Sequence, residues 1–162
     1  MSNTIKVGIS DMNIGRAPDV LVTFALGSCV GICLYDAQHK IGGLSHILLP
    51  DSTSQAGPVK NPYRFADSAI PLLVRKLELA GARRAFLKAK IAGGAQMFSA
   101  VNNASLSNVG DRNARAVKDT LRKLGIPIIA DDTGKNFGRT LFFNTADGSM
   151  LIKSANQGEW TL

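Results

Sequence analysis

The apolar residues of this chain fall mostly in short runs separated by turn-forming residues, and this pattern constrains its fold most. Residues 20–24, 30–35 and 41–49 are runs of this kind, rich in Val, Ile and Leu. Such runs, bounded by Gly, Pro, Asn or Asp, are typical of β-strands. Because the first three or four strands are joined by short turns, we expect them to pair antiparallel. The same pattern predicts further strands at residues 5–9, 86–91, 126–130, 139–144 and 150–154.

Two segments have helical spacing instead. Apolar residues such as Leu73 and Leu77 recur at three- and four-residue intervals in the first, and residues 111–124 repeat the pattern in the second. A proline inside a helix loses a hydrogen bond and clashes with the preceding turn. We therefore expect the first helix to begin near Ser68, which places Pro71 in its first turn.

Together these elements predict an α/β domain of the α+β kind. We expect a layered sandwich of mixed, largely antiparallel sheet with two main helices. The length of 162 residues and the unbroken composition favour a single domain spanning residues 1–162. A hydrophobic fraction of 45% can supply its core without disulfides or metals, and no cofactor is expected.

Membrane, secretory and metal classes are not expected. The chain has no stretch of about 18 or more apolar residues that could cross a membrane. Residues 1–11 lack the charged start and apolar run of a signal peptide, so we expect a cytoplasmic protein. Cys29 and Cys33 are separated by roughly 13 Å if that segment is extended, too far for a disulfide. With only two His and two Cys, we expect no structural zinc site.

The chain is basic, with a formal net charge of +7 from 19 Lys and Arg against 12 Asp and Glu. These basic residues are spread along the sequence. They form no run interleaved with aromatic residues, and we find no helix-turn-helix or RNA-binding signature. A solvated surface explains them best, an acidic protein partner comes second, and no nucleic acid is expected as a partner.

The sequence around Cys29 favours a reactive thiol over a core cysteine. Gly27 and Ser28 precede it in a tight turn that opens onto a strand, where free backbone N–H groups can form an oxyanion hole. Gly31, on the same face of that strand, leaves room beside the sulfur for a substrate. Cys33 lies deeper on this face, and we expect it only to pack.

His46 is the candidate base for this thiol. It lies on the following strand, and a hairpin centred near Gln38 would bring His46 and Cys29 face to face across the ladder. A thiol needs such a neighbour, because its free pKa of about 8.5 leaves little thiolate at neutral pH. His39 sits in the turn and is expected to be exposed and uninvolved.

A third group usually orients the imidazole in Cys–His hydrolases. Thr23, Ser45 and Asp36 are the candidates nearby. The chemistry favours a carboxylate, whereas the geometry favours Thr23, at the end of the strand that feeds the cysteine turn. The glycine-rich segments 93–94 and 134–138 lack the spacing of a phosphate-binding loop and, taken alone, indicate backbone turns.

Several motifs nevertheless occur together in a recognisable order. They are residues 23–30 (TFALGSCV), 46–50 (HILLP), 90–98 (KIAGGAQMF) and 110–113 (GDRN), followed by Asp132, Gly134, Gly138, Arg139, Phe143 and Gly148. In this order they resemble the chemoreceptor glutamine deamidases, the CheD family. The resemblance covers nearly the whole chain, and it depends on the order of the motifs rather than on any single one.

The resemblance implies an active site of one Cys, one His and one Thr, which map onto Cys29, His46 and Thr23. It implies a layered fold similar to that of bacterial toxin cysteine deamidases. It also implies conversion of glutamine to glutamate on methyl-accepting chemotaxis receptors through a cysteine thioester. Some members are linked to receptor methyl-ester hydrolysis, and some bind a CheC-type phosphatase. The alternative is a docking module for such a phosphatase or for the receptor, with little catalysis of its own.

Overall fold

The computed structural model describes residues 3–54, 56–97 and 108–162. Phe98, the last residue of the 90–98 motif, lies outside this part of the chain. Helix α1 spans Ala66–Leu79 and helix α2 spans Val109–Lys123. Short 3-10 helices lie at Ser52–Ser54, Pro62–Arg64 and Arg84–Phe86. The strands are β1 Thr4–Lys6, β2 Asp11–Arg16, β3 Val20–Leu26, β4 Val30–Asp36, β5 Ile41–Ile47, β6 Leu87–Gly93, β7 Ile128–Thr133, β8 Arg139–Asn144, β9 Met150–Ser154 and β10 Gly158–Thr161.

The strands form two five-stranded sheets, which confirms the predicted layered sandwich. The first sheet has the order β1-β3-β8-β9-β10, and the second has the order β2-β5-β4-β6-β7. Both are mixed and largely antiparallel, since only the pairs β1–β3 and β6–β7 are parallel. Both helices pack on the second sheet, so the layers are, in order, the first sheet, the second sheet and the helices.

Alternating side chains of β4 divide the core into two parts, as the sequence predicts. Val30, Ile32 and Leu34 face the helices, in a cluster with the apolar stripe of α1. Cys29 and Cys33 face the other way, into the cluster between the two sheets. Because the side chains of a strand alternate between its two faces, the cysteine turn leads directly into the space where the sheets meet.

The expectation that the first strands pair antiparallel with one another is wrong for most of them. Only β4 and β5 form the expected hairpin. Strand β1 pairs with β3 in parallel, and β2 pairs with β5 instead of its sequence neighbours. Consecutive strands β3 and β4 lie in different sheets. A bulge between Thr23 and Leu26 and a positive φ of 60° at Ala25 interrupt the pairing of β3 with β8, which resumes only at Leu26 before the chain turns toward the second sheet.

Helix α1 begins at Ala66, two residues before the predicted start, so Pro71 lies inside the helix. Tertiary contacts fix this start, because Leu49 and Phe65 form a parallel bridge and the Ala66 N–H donates to the Leu49 carbonyl at 3.0 Å. Burial of Ala66 and its neighbours offsets the hydrogen bond that Pro71 cannot make. No helix in the described ranges is long and apolar enough to cross a membrane.

Candidate active site

Cys29 lies in the turn that carries the chain from β3 in the first sheet to β4 in the second. Its residue is 6% exposed, so the thiol is nearly covered but retains a small opening to solvent. Its own backbone N–H group contacts the sulfur, which favours the thiolate, but burial is the larger effect and raises the pKa of the Cys29 thiol. The thiol is therefore protonated at neutral pH.

Three consecutive carbonyl groups hold the cysteine turn in place. The Gly27 carbonyl accepts from the Ala95 N–H at 2.9 Å, and the Cys29 carbonyl accepts from the Gly94 N–H at 2.8 Å. The Ser28 carbonyl accepts from the Asn113 side-chain amide at 2.9 Å. The Gly-Gly pair and the GDRN motif thus act on the cysteine turn, which the sequence taken alone does not show.

Asn113 contacts the candidate site, although the sequence did not predict it as a site residue. A signal for it was present, because Asn113 stands four residues before Val117 and eight before Leu121 on the buried stripe of α2. A polar side chain on such a stripe needs a hydrogen-bond partner inside the protein. Its partners are carbonyl groups of the cysteine turn and of the segment that follows β5.

His46 lies on β5, one strand away from the cysteine turn in sequence and adjacent in space. It pairs with Gly31, not with Cys29, so the two functional side chains are diagonal across the ladder and the expectation that they face each other directly is wrong. They still face the same space, because Cys29 belongs to the cluster between the sheets and His46 contacts Thr23 of the first sheet. His46 is fully buried between the sheets.

A hydrogen bond across the two sheets orients His46. The Thr23 hydroxyl donates its proton to the Val7 carbonyl at 2.7 Å and lies 2.7 Å from His46 Nδ1. A hydroxyl has one proton, so toward Nδ1 it can only accept, and Nδ1 must carry the hydrogen. The lone pair of the imidazole is then on Nε2, which is buried and has no hydrogen-bond partner within residues 3–54, 56–97 and 108–162.

Burial sets the protonation state of this imidazole. It lowers the pKa of His46 to about 4. The group is neutral at physiological pH and can accept a proton, and its open acceptor faces the side of the sheet on which Cys29 lies. Neutral thiol beside neutral base suits general-base activation, in which the proton moves as the sulfur attacks.

The other two candidates for the orienting group lie elsewhere. Asp36 is buried at the far end of β4, where its carboxylate accepts from the backbone N–H groups of Gln38, His39 and Arg83 and contacts the His39 ring at 2.8 Å. Ser45 precedes His46 and points to the opposite face, and its buried hydroxyl has no hydrogen-bond partner in the described part of the chain. The structure therefore places Thr23 alone of the three beside the imidazole.

The expectation that Gly31 leaves room for a substrate is wrong. A Cβ at Gly31 would stand 3.1 Å from Leu141 and 3.2 Å from Leu26, so side chains of the first sheet already fill that space. Gly31 is required for close packing of the two sheets beneath the site. Cys33 is buried on the same face, in the packing position predicted for it.

A buried arginine supports the segment that holds the cysteine turn. The Arg139 guanidinium is fully covered, pairs with Asp132 at 3.2 Å and donates to the Gly134 carbonyl at 3.1 Å. Trp160 donates to the same Asp132 carboxylate at 3.1 Å. Since the Gly134 N–H in turn donates to the Gly93 carbonyl, this cluster fixes the end of β6 beside Cys29.

Nothing in the described ranges forms a group of three or more His, Cys, Asp or Glu side chains that could hold a metal ion.

Comparison with known proteins agrees with the motif order. Residues 48–154 match the family model described as CheD chemotactic sensory transduction. A "Probable chemoreceptor glutamine deamidase CheD" of Clostridium botulinum strain Hall is 53% identical over 154 residues, which are 95% of this chain and 94% of that protein. A relative with the same name from Clostridium novyi strain NT is 51% identical over the same shares.

The region matched by the family model begins just after His46, so it contains the segments that hold the site but not the site's three side chains. The similarity to the clostridial relatives is wider. At most eight residues of the chain remain outside it, and Cys29, His46 and Thr23 all lie within it. On the family model and the full-length relatives together, this chain belongs to the CheD family.

Proposed function

We propose that this protein deamidates glutamine side chains of methyl-accepting chemotaxis receptors, with Cys29 as nucleophile and His46 as general base. The observation that carries the proposal is the hydrogen bond from His46 Nδ1 to Thr23. It leaves the Nε2 lone pair open on the face of the sheet that also carries Cys29. The names of the clostridial relatives supply the substrate class, a chemoreceptor glutamine.

The first half of the reaction forms a thioester. His46 Nε2 takes the proton of the Cys29 thiol while the sulfur attacks the carboxamide carbon of the glutamine. Negative charge collects on the amide oxygen, and the Cys29 N–H supplies a hydrogen bond that stabilises it. The imidazolium returns the proton to the departing nitrogen, ammonia leaves, and the glutamyl group remains on sulfur.

The second half releases the product. Water enters where ammonia left, His46 takes one of its protons, and the resulting hydroxide attacks the thioester carbon. The carbon–sulfur bond breaks, the thiol recovers its proton, and glutamate remains on the receptor. Thr23 acts through His46 by accepting from Nδ1–H, which keeps the useful tautomer throughout.

The wider setting of the enzyme belongs to the same proposal. Residues 1–162 act as one deamidase domain in the cytoplasm, where the receptor substrate is reached. The net charge of +7 favours docking on an acidic receptor surface. A CheC-type phosphatase is the proposed regulatory partner, and the protein uses neither a cofactor nor nucleic acid.

The test is deamidation of a purified receptor cytoplasmic fragment, followed by peptide mass spectrometry and ammonia release. The chain offers a matched control for each substitution. Cys29→Ala is compared with Cys33→Ala, because both thiols lie in the same intersheet cluster. His46→Ala is compared with His39→Ala, which changes the histidine at the hairpin turn.

We expect amide-to-acid conversion at specific glutamines with the wild type and with both control variants. Neither Cys29→Ala nor His46→Ala should convert any. Acid quenching during turnover should also trap a glutamyl adduct on Cys29. Unmodified receptor that nevertheless binds the wild type and the Cys29 variant equally would refute the deamidase and favour a docking module.

A further inference from the structure

Asn113 connects the nucleophile and the base through one side-chain amide. It is fully buried near the start of α2. Its Nδ2 donates to the Ser28 carbonyl at 2.9 Å and to the Leu48 carbonyl at 3.0 Å. Ser28 immediately precedes Cys29, and Leu48 follows His46 by two residues, so a single group ties together the two segments that carry the reaction.

The bond to Ser28 has a directional consequence for Cys29. In a trans peptide the carbonyl and the following N–H point in opposite directions within one plane. Because Asn113 holds the Ser28 carbonyl, the Cys29 N–H of the same peptide unit must point away from α2. The Cys29 N–H belongs to the same residue as the Cys29 sulfur, so it lies beside the proposed nucleophile.

Within this turn, the side chain of Asn113 fixes the direction of the Ser28–Cys29 peptide plane. The neighbouring planes are fixed by backbone groups instead. The flanking carbonyls of Gly27 and Cys29 are held by backbone N–H groups of Ala95 and Gly94. A substitution at Asn113 therefore frees the Ser28–Cys29 peptide unit of this turn. The hydrogen bonds of the Gly27 and Cys29 carbonyls stay in place.

The amide of Asn113 is not arranged for stability alone. Its Oδ1 is buried and has no hydrogen-bond partner among the residues that the structure describes. An unpaired buried acceptor destabilises a fold, whereas an apolar side chain of similar size would avoid that cost. An apolar side chain could not, however, hold the Ser28 carbonyl.

We propose that Asn113 is a positioning residue that aims the Cys29 N–H at the oxyanion of the tetrahedral intermediate. Its second hydrogen bond, to the Leu48 carbonyl, anchors the side chain from which it acts on Ser28. The inference rests on the proposed deamidase function, since it assigns an oxyanion donor to that reaction. A hydrogen bond accepted by the Ser28 carbonyl also polarises the peptide and strengthens its N–H as a donor.

The test separates steps that need an oxyanion from a step that does not. Asn113→Ala and the milder Asn113→Ser are compared with Thr120→Ala, which removes a side-chain bond to the Ala116 carbonyl farther along the same helix. For each variant we would measure kcat and KM on the receptor fragment, and inhibition by a peptide aldehyde derived from glutamine. The Cys29 thiol adds to that aldehyde carbon, and its oxygen occupies the oxyanion position. Alkylation of Cys29 by iodoacetamide forms no oxyanion.

Loss of an oxyanion donor lowers kcat by about 100- to 1000-fold, so misdirecting one should lower it by about 10- to 100-fold. We expect Asn113→Ala to weaken the binding of the aldehyde inhibitor by the same factor. Its KM and its rate of alkylation should stay close to those of the wild type. Asn113→Ser should be intermediate and Thr120→Ala unchanged, so the result does not depend on the Ala variant folding fully.

Wild-type kcat and aldehyde affinity in folded Asn113 variants, or an equal loss in alkylation, would overturn the inference. Absence of ammonia release by the wild type would refute the deamidase instead, and the aldehyde comparison would still decide the role of Asn113.

Discussion

Thr23→Val tests the central geometry of the site with little change of shape. The substitution replaces the hydroxyl by a methyl group and keeps the β-branched side chain at the same place in β3. It removes two contacts at once, the donation to the Val7 carbonyl at 2.7 Å and the acceptance from His46 Nδ1 at 2.7 Å. The imidazole then loses the contact that selects its tautomer.

The expected magnitude follows from these two contacts. A buried polar group without a partner costs about 1 to 3 kcal/mol, so two such groups destabilise the fold by about 2 to 6 kcal/mol. A domain of this size has about 5 to 15 kcal/mol of stability, so the variant should remain folded at low temperature. For catalysis, one hydrogen bond selecting the Nδ1–H tautomer is worth about 1 kcal/mol, and disorder of the ring adds to that. We expect kcat to fall by about 10- to 100-fold, because a small displacement of a catalytic group can cost about 100-fold.

The assay is ammonia release from the receptor fragment, combined with NMR of the His46 imidazole nitrogens. Thr23→Ser keeps the hydroxyl and should recover most of kcat. Thr145→Val is the matched stability control, because Thr145 is also buried and its hydroxyl donates to the Asp19 carbonyl at 2.6 Å away from the site. If Thr23→Val retained the kcat of Thr145→Val and the Nδ1–H signal of wild type, Thr23 would not orient the base.

Three further results are expected. The rate of Cys29 alkylation by iodoacetamide should keep rising above pH 8, because burial raises the pKa of the thiol; a plateau between pH 5 and 7 would reveal a thiolate–imidazolium pair and contradict the general-base mechanism. The pKa of His46 is about 4 when folded and 6.5 ordinarily, so the unfolded state binds the extra proton between these values and stability should fall by about 3 kcal/mol as pH drops from 6.5 to 4. Urea titrations of His46→Asn should not show this loss of stability at low pH. An equal pH dependence of stability in the variant would disprove its assignment to His46. Gly93→Ala should abolish activity and reduce the melting temperature. Gly93 has a φ of 110°, and a Cβ there would collide with the Cys29 carbonyl oxygen. The control Gly138→Ala should match wild type, because a Cβ at Gly138 would meet open space.

The alternation of side chains could be predicted from the sequence, but the register could not be counted closely enough. The predicted hairpin centre near Gln38 was almost right. Asp36 pairs with Ile41, so the true centre lies between Gln38 and His39, and this small displacement moves the partner of His46 to Gly31. A change of register alters which side chains lie opposite each other in the ladder. A shift by an even number of residues leaves each side chain on the same face of the sheet.

The path of the chain between the sheets was beyond prediction for a different reason. Alanine at a positive φ and a two-residue bulge leave no distinctive sequence signal, because their cost is met by contacts with distant strands. Strands β2 and β10 were missed because they lie at the edges of the two sheets and carry few apolar residues. Edge strands need less burial, so their sequences carry a weaker pattern.

The crossing between the sheets also explains why the site depends on packing far from its chemistry. Thr23 belongs to the first sheet and His46 to the second, and their hydrogen bond spans the interface shortly before the chain itself crosses it at Cys29. A shift of one sheet against the other would therefore disturb the base and the nucleophile together. Leu141 and Phe143 hold that interface, because Leu141 fills the space over Gly31 and Phe143 fills the space over Gly42. Interiors pack closely enough to transmit such shifts, so truncation of either side chain should reduce kcat more than its effect on stability alone would require.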